Sequence, residues 1–406
     1  MYEMEKRLNK DLIIISLLDG KGPTGVETHF NQLIHAAQAY GVKGNVISPY
    51  PSGRIWTKFA RLLVRATGLF SKESAEILGR WIDSKVIEGK LNAVLSNRPQ
   101  GSKPVTLYAQ DPLSARTALQ VRKNHACRVV AVVHYNLSEA YELFMKGSAK
   151  TDGPLWHFVT ATERQALPQV DQIIFVSEFM RKVLLDRLPD ISNVPQTVIP
   201  NFVPCPGADG IQPETAADMI SIGTLEPRKN QAFLLRVLAR TKALGHSYTL
   251  TMVGDGPDQA RLRILARELG VENQVQFAGF QKNAARLIPR HRILVHAAQV
   301  ENMPITLIEA LALGRPILAP AVGGITEIFN DGVEGYYWPL DDIDAAAALL
   351  VNTLSDSETY HRFTEAALAR YRKKFDSKLL VSRWLTTILS QPSLPEHSHH
   401  GVPAYQ

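Results

Sequence analysis

Two carboxylates set the first question. In QVENMPITLIEALALGRP, residues 299–316, Glu301 and Glu309 interrupt a run that is otherwise almost wholly apolar. The surrounding pattern predicts a strand over RILVHA, a short loop, and a helix over about 304–313. Pro304 suits the first helical position, where its missing N–H costs nothing, and Gly314 suits the C-terminal cap. The open end of that helix presents the backbone N–H groups of Met303 to Thr306, which attract anions and phosphates in particular. A carboxylate beside a phosphate repels it, unless it reaches past the phosphate to accept hydrogen bonds from hydroxyls. Ribose and hexose rings offer such hydroxyls in pairs. Glu301 before the helix and Glu309 about one turn inside it therefore fit a ligand with sugar on both sides of a diphosphate. The plainer alternative is a solvated loop acid and a partly exposed helix acid. It sits poorly with Ile305, Leu307, Ile308, Leu311 and Leu313, which leave the helix little polar face.

The elements that must hold these acids can be read in both directions along the chain. With 406 residues it exceeds what one hydrophobic core usually organises, so two domains are expected. The first half offers apolar runs at DLIIISLL, NVIS, VTLYA, RVVAVVHY, QIIFVS and QTVIPN; the second offers DMISIGT, YTLTMVG, VQFAGF, RILVHA and PILAP. Val- and Ile-rich runs separated by helical patterns predict parallel sheets covered on both faces. The fold class is thus α/β, with two doubly wound Rossmann-like domains facing across a cleft. Such sheets take ligands outside the carboxyl ends of their strands. The expected division is 1–203 and 204–375, joined by a Pro- and Gly-rich linker near 202–216, and the resemblance given below implies that the first domain binds the acceptor and the second the donor. A last helix over KKFDSKLLVSRWLTTIL (373–389) follows, its 376–390 part crossing back to the first domain as the same resemblance implies, and then a disordered tail over 391–406. The tail's His397, His399 and His400 are read as adventitious.

Charge is uneven. Residues 1–203 hold 25 Lys and Arg against 18 Asp and Glu, while 204–406 hold 20 against 21. Within the basic half, RIWTKFARLLVRATGLFSK (54–72) carries Arg54, Lys58, Arg61, Arg65 and Lys72 with no acid. Two readings stay open for it: an amphipathic helix on an anionic bilayer, suited to a lipid-linked acceptor, or a helix packing Trp56 and Phe59 on its own domain. No nucleic-acid-reading module accompanies the basic surface, so nucleic acid is not expected as a partner. Two cysteines, Cys127 and Cys205, make neither a disulfide framework nor a metal cluster and suit a reducing, cytoplasmic compartment. The short apolar run after MYEMEKRLNK reads as a buried first strand and not as a signal peptide, and nothing reads as a membrane span. Asp342 and Asp344 in DDID match an Asp-x-Asp metal site only superficially and are read as opening a helix.

The run ENMPITLIEALALGRPILAPAVGGITEI resembles the glutamate–seven–glutamate signature of the family-4 retaining glycosyltransferases, which have the two-domain GT-B fold. The resemblance covers most of the chain in order: GPTGVETHF at 22–30, AVVHY, FVSEFMRK, VIPNFV, SIGTLEPRKNQ, VGDGP and FAGF. It implies that Glu309 holds the ribose hydroxyls of a nucleotide, and that Glu301 contacts the donor sugar with the backbone of Asn302, Met303, Pro304 and Ile305. It also implies that Arg228 and Lys229 clamp the diphosphate. Chemistry agrees, because two fixed cations stabilise a departing nucleoside diphosphate without a metal. Gly25, with Thr24, would let backbone approach donor phosphate or acceptor; Thr24 stands where the family frequently has a second glycine. His134, which could equally be a structural hydrogen bonder, is assigned to the donor sugar by the resemblance. Gly254 and Gly256 would shape a turn beside the nucleotide, with the backbone near Phe280 meeting the base.

The resemblance further implies transfer with retention, in which the leaving phosphate helps deprotonate the acceptor. No nucleophile and base resembling a triad is evident, and neither cofactor nor metal is expected. The expected activity moves a hexose-type sugar from a nucleoside-diphosphate sugar to a glycan or lipid-linked acceptor, in cell-surface polysaccharide or glycolipid synthesis. The chain would act in the cytoplasm, with a peripheral place on the inner face of the membrane if residues 54–72 bind lipid. The rival readings are a sugar-nucleotide epimerase or phosphorylase of the same fold, and a non-catalytic nucleotide-sugar binder.

Overall fold

The computed structural model describes residues 11–390, apart from 19, 21, 23, 51–54, 100, 103 and 205–216, and for 55–59 the backbone alone. Most of the linker and the whole tail, with their histidines and Cys205, therefore lie outside the described residues, as do the side chains of Arg54, Trp56, Lys58 and Phe59.

Two parallel sheets form from the two runs of strands. The first contains β1 (Asp11–Ile15), β2 (Lys43–Ile47), β3 (Val105–Ala109), β4 (Cys127–Val133), β5 (Gln172–Phe175) and β6 (Gln196–Val198), in the order β2-β1-β3-β4-β5-β6. The second contains β7 (Ala217–Ile222), β8 (Leu250–Val253), β9 (Val275–Gly279), β10 (His291–Val295), β11 (Ile317–Ala319) and β12 (Gly335–Tyr337), in the order β12-β11-β10-β7-β8-β9. Every expected strand is present. The additional β12, Gly335–Tyr337, carries Gly-Tyr-Tyr and not the Val- and Ile-rich run by which the others were read. The strand order reverses between β1 and β3 in one sheet and between β7 and β10 in the other. Crevices at such reversals are where doubly wound sheets take ligands.

Helices cover both sheets. In the first half they are α1 (Gly25–Gln38), α2 (Ile55–Gly68), α3 (Lys72–Ser96), α4 (Pro112–Arg122), α5 (Glu139–Met145), α6 (Pro154–Ala166) and α7 (Glu178–Arg187). In the second they are α8 (Gln231–Ala243), α9 (Gln259–Glu268), α10 (Ile305–Ala312), α11 (Ile343–Ser355), α12 (Ser357–Lys374) and α13 (Ser377–Leu389). Several start on side-chain caps that satisfy otherwise unpaired N–H groups: Asp111 for α4, Ser138 for α5, Ser177 for α7. Asp342 likewise caps α11 through Ala345 N, as read, whereas Asp344 lies in the first turn and pairs with Arg240.

Two expected helix bounds change. Pro304 is the residue before α10, with ψ of 118°, and the helix begins at Ile305 and ends at Ala312, with Gly314 beyond it at φ +62°. The single helix expected over 373–389 is two: α12 ends at Lys374, and Asp376 caps a new start through Lys378 N.

The last helix ties the halves together. Trp384 of α13 is fully buried beside His29 and Tyr108, and its Nε1 donates to Pro200 O at 3.1 Å. One apolar core runs from Leu12, Phe30 and Val130 through Phe202 and Trp384 to Ile305, Leu311 and Ile317. Among the described residues no helix is long and apolar enough to cross a membrane.

Candidate active site

The carboxyl ends of β7 and β10 bring the signature residues together. After β7 the chain turns through Pro227–Lys229, and Gln299 N donates to Arg228 O at 3.0 Å, pinning that turn to the loop after β10. Glu301 is 6% exposed and receives three neighbours: the Lys229 ammonium, His296 Nε2 at 3.2 Å and Arg228 Nη1 at 3.7 Å. Burial alone would push its pKa up. The Lys229, His296 and Arg228 groups outweigh burial and hold the carboxyl well below the usual carboxylate range. Arg228 is itself buried; burial opposes its charge, and Glu301 and Glu226 more than restore it, Glu226 accepting from Nη2 at 2.7 Å. In this structure the two expected phosphate cations are thus engaged with acids. His296 was not foreseen. It directly follows β10, with Nε2 beside Glu301, and burial pushes it below its ordinary range despite Glu301.

Glu309 is placed differently. It lies on α10 among buried Ile305, Leu307, Ile308 and Ala310, and no hydrogen bond or ion pair satisfies it within the described chain. Burial alone pushes its carboxyl up to about 7. An acid held so close to neutral, beside a helix N-terminus, is poised for a hydroxyl-bearing ligand to complete it.

The loop joining these acids is anchored on the first domain through the side chain of Asn302, which sequence reasoning had placed on the donor by its backbone. Its Nδ2 donates toward the carbonyls of Val133, His134 and Tyr135 at 3.4, 3.2 and 3.0 Å. Ser177 Oγ donates to its Oδ1 at 2.5 Å. Asn201 Nδ2 donates to Met303 O at 2.9 Å, and Ile305 lies 3.8 Å from the position a side chain on Gly25 would take. Met303 and Ile305 are buried, and Pro304 is partly so.

Gly25 starts α1, and Thr24 caps it in a capping box with Glu27. Glu27, 2% exposed, accepts from Gly20 N at 3.1 Å, Gly22 N at 2.9 Å and Thr24 Oγ1 at 2.9 Å, so this buried acid shapes the glycine-rich loop. His134 sits at the end of β4 with its ring 4.8 Å from that of His29, and burial lowers its pKa to about 3. On the other side, a Cβ on Gly254 (φ +141°) would stand 2.1 Å from Gly223 O, and one on Gly256 2.1 Å from Leu225 O. Both glycines are required where the loops after β7 and β8 touch. Phe280 N donates to Asp255 Oδ2 at 3.1 Å, while its ring is half exposed.

Comparison with known proteins places this geometry. Residues 23–205 match the family model for Glycosyltransferase Family 4, and residues 209–370 that for Glycosyl transferases group 1. N-acetyl-alpha-D-glucosaminyl L-malate synthase of Bacillus anthracis is 31% identical over 34% of this chain, and the match spans 36% of that protein. A colanic acid biosynthesis glycosyltransferase of Salmonella typhimurium, WcaL, is 28% identical over 44% of this chain and 46% of its own length, so the chain spans under half of these relatives. Phosphatidyl-myo-inositol mannosyltransferase of Mycolicibacterium smegmatis is 27% identical over 60% of this chain and 67% of its own. Among solved structures, sucrose-phosphate synthase of Thermosynechococcus elongatus has a TM-score of 0.71 at 17% identity, covering 93% of this chain and 97% of that one. Anabaena HepE, solved with UDP and glucose, has a TM-score of 0.67 at 16% identity, covering 94% and 99%. Two family models follow one another along most of the chain, the signature acids lie on the loop and helix after β10 at a strand-order reversal, and the protein belongs to the family-4 glycosyltransferases of the GT-B fold.

Proposed function

We propose that the protein transfers a hexose-type sugar from a nucleoside-diphosphate sugar to a glycan or lipid-linked acceptor, with retention of anomeric configuration and without a metal ion. The observation that carries this reading is the contrast between the two acids: Glu301 held ionised among cations, Glu309 held near neutrality without a partner. Glu309 accepts the ribose hydroxyls. Glu301 and His134 face the donor hexose. Arg228 and Lys229, released from their acids, take the diphosphate, and the N–H groups at the start of α10 add to them. In the reaction the bond from the anomeric carbon to the phosphate oxygen breaks, and a bond to the acceptor oxygen forms on the same face. The acceptor's proton passes to the departing phosphate. Fixed cations at the phosphate lower the barrier by stabilising the charge that builds there.

The exposed end of α2 favours a lipid-linked acceptor. Leu69 and Phe70, just past α2, are 85% and 92% exposed, Leu62 and Leu63 lie open on the helix itself, and Arg65 and Lys72 are exposed in the same stretch. Arg61 is spent on Asp83. Apolar side chains with cations in the same stretch suit the interface of an anionic bilayer, which supports a peripheral site on the inner face of the cytoplasmic membrane.

The test is thermal stabilisation by UDP, GDP and ADP, for the wild type and Glu309→Ala. A ligand at 100 times its dissociation constant adds about 2.7 kcal/mol. UDP is the first to try, since HepE was solved with it. Stabilisation by one nucleotide that Glu309→Ala abolishes supports the reading, and no response to any of the three refutes it. Sugar transfer in the presence of EDTA, with the product's anomeric configuration read by NMR, decides metal use and stereochemistry. An epimerised sugar nucleotide or a sugar phosphate as product would instead support the rival enzymes, and binding without turnover the non-catalytic reading.

A further inference from the structure

The reversal of strand order between β1 and β3 makes a second crevice, in the first domain. Gln110 follows β3, and its N–H donates to Ile15 O at 2.9 Å, fixing it between the two strands at that crevice. Two residues on from Tyr108, its side chain shares the sheet face that α1 and α13 cover and lies beside the Tyr108 hydroxyl. Gln110 is 4% exposed; its amide meets the Tyr108 hydroxyl only at the margin of hydrogen-bonding geometry, and neither its Oε1 nor its Nε2 has a well-formed partner. His134 Nε2 and His29 Nδ1 are orphaned in the same neighbourhood, where Tyr108 Oη stands 3.4 Å from the other nitrogen of His29.

Buried polar atoms are almost always paired, and each orphan costs stability. Four orphaned atoms grouped at a ligand-binding crevice point to a ligand that completes them. Their chemistry limits what it is. Burial keeps both imidazoles uncharged at neutral pH, and an amide with neutral imidazoles offers donors and acceptors together. A hydroxyl, donor and acceptor in one group, matches that set. A phosphate or carboxylate would find no free cation among these groups, because the nearby Arg80 is engaged by Glu139 and Glu76.

We propose that Gln110, together with His134, binds a hydroxyl of a neutral sugar ring and so selects the sugar. The proposal rests on the glycosyl-transfer reading above, and the ring belongs either to the donor hexose or to the acceptor.

Gln110→Leu supplies the test, since it keeps the shape and removes the amide. At a merely structural position, replacing an unpartnered amide by an apolar group of similar shape is neutral or raises Tm and changes no affinity. Affinities of the wild type and the variant would be titrated for UDP, GDP and ADP, for their glucose and mannose conjugates, and for methyl glycosides of glucose, galactose, mannose and N-acetylglucosamine. The glycosides would be titrated with and without nucleotide. The expected result is unchanged affinity for bare nucleotide and a loss of about tenfold for sugar, the worth of one neutral hydrogen-bonding site. A loss confined to the conjugates assigns the donor hexose, and a loss confined to the glycosides assigns the acceptor. The proposal is overturned if Gln110→Leu keeps every sugar affinity, or if the wild type binds none of the glycosides and binds the conjugates no more tightly than bare nucleotide. Failure of the underlying reading looks different: no bare nucleotide binds the wild type, whatever residue stands at 110.

Discussion

Replacing Glu309 by glutamine tests the site through the fold's own pH dependence, before any substrate is known. Burial moves this carboxyl from 4.5 to about 7. The folded state therefore holds the proton more tightly than the unfolded chain, so stability falls as pH rises from 4.5 to about 7, and the penalty is complete above that. At about 1.36 kcal/mol per pH unit the full penalty is about 3 kcal/mol. The side chain keeps some access to solvent, which brings the expected figure nearer 1–2 kcal/mol. Glu309→Gln should thus be more stable than the wild type at pH 8.5, by roughly 2–6 °C in Tm, and no more stable at pH 4. Nucleotide reverses the order. Ribose hydroxyls favour the ionised acid, so the wild type takes up nucleotide with loss of a proton. Its affinity should then weaken by up to tenfold per unit as pH drops below 7. The glutamine variant should bind weakly at every pH. Denaturation scans at pH 4, 5.5, 7 and 8.5, each with and without nucleotide, read both effects. A variant less stable than the wild type at pH 8.5, or a difference that does not change with pH, would falsify the picture of an unpartnered buried acid.

Three further outcomes follow from the same geometry. Lys229→Ala strips Glu301 of its nearest counter-charge while leaving it buried, which should cost about 2–4 kcal/mol in urea denaturation and reduce turnover at least 100-fold; the stability loss should largely vanish in the Glu301→Gln background, and an undiminished loss there would show that the pair is not coupled. Gly256→Ala forces a Cβ to 2.1 Å from Leu225 O and should cost about 3 kcal/mol or give insoluble protein. A variant with wild-type Tm would mean the two loops do not touch as described. Leu69→Asp with Phe70→Asp should leave Tm unchanged, because both side chains are exposed, and abolish sedimentation with phosphatidylglycerol vesicles at low salt; equal sedimentation of variant and wild type counts against the membrane face.

What the sequence disclosed depended on how local each signal was. Strands in a covered parallel sheet need continuous apolar runs, so eleven of them were legible, whereas β12 carries only Gly-Tyr-Tyr. The acids of the signature were legible for a similar reason: a carboxylate among Leu and Ile breaks a pattern that burial otherwise enforces. Glu27 could have been found the same way, since Thr24 and Glu27 stand at the spacing of a capping box, but nothing local says that the glutamate also gathers Gly20 and Gly22. The bridging side chain of Asn302, and any role for His296 and Gln110, were beyond reach. An asparagine that bridges to Val133, His134 and Tyr135 across 167 to 169 residues of chain has no sequence neighbour to betray it. The meaning of Gln110 lies in partners it lacks, which only a packed neighbourhood defines. Residues that act inside one loop announce themselves by contrast with their neighbours, while residues that join the two domains, or await a ligand, become visible when both sheets are in place. Asn302 holds the donor loop onto the first domain, so its replacement by alanine should change how the halves close and not what either half binds: nucleotide affinity kept, turnover lost, and a larger radius of gyration in solution scattering. Were turnover kept as well, the bridge would be packing and nothing more.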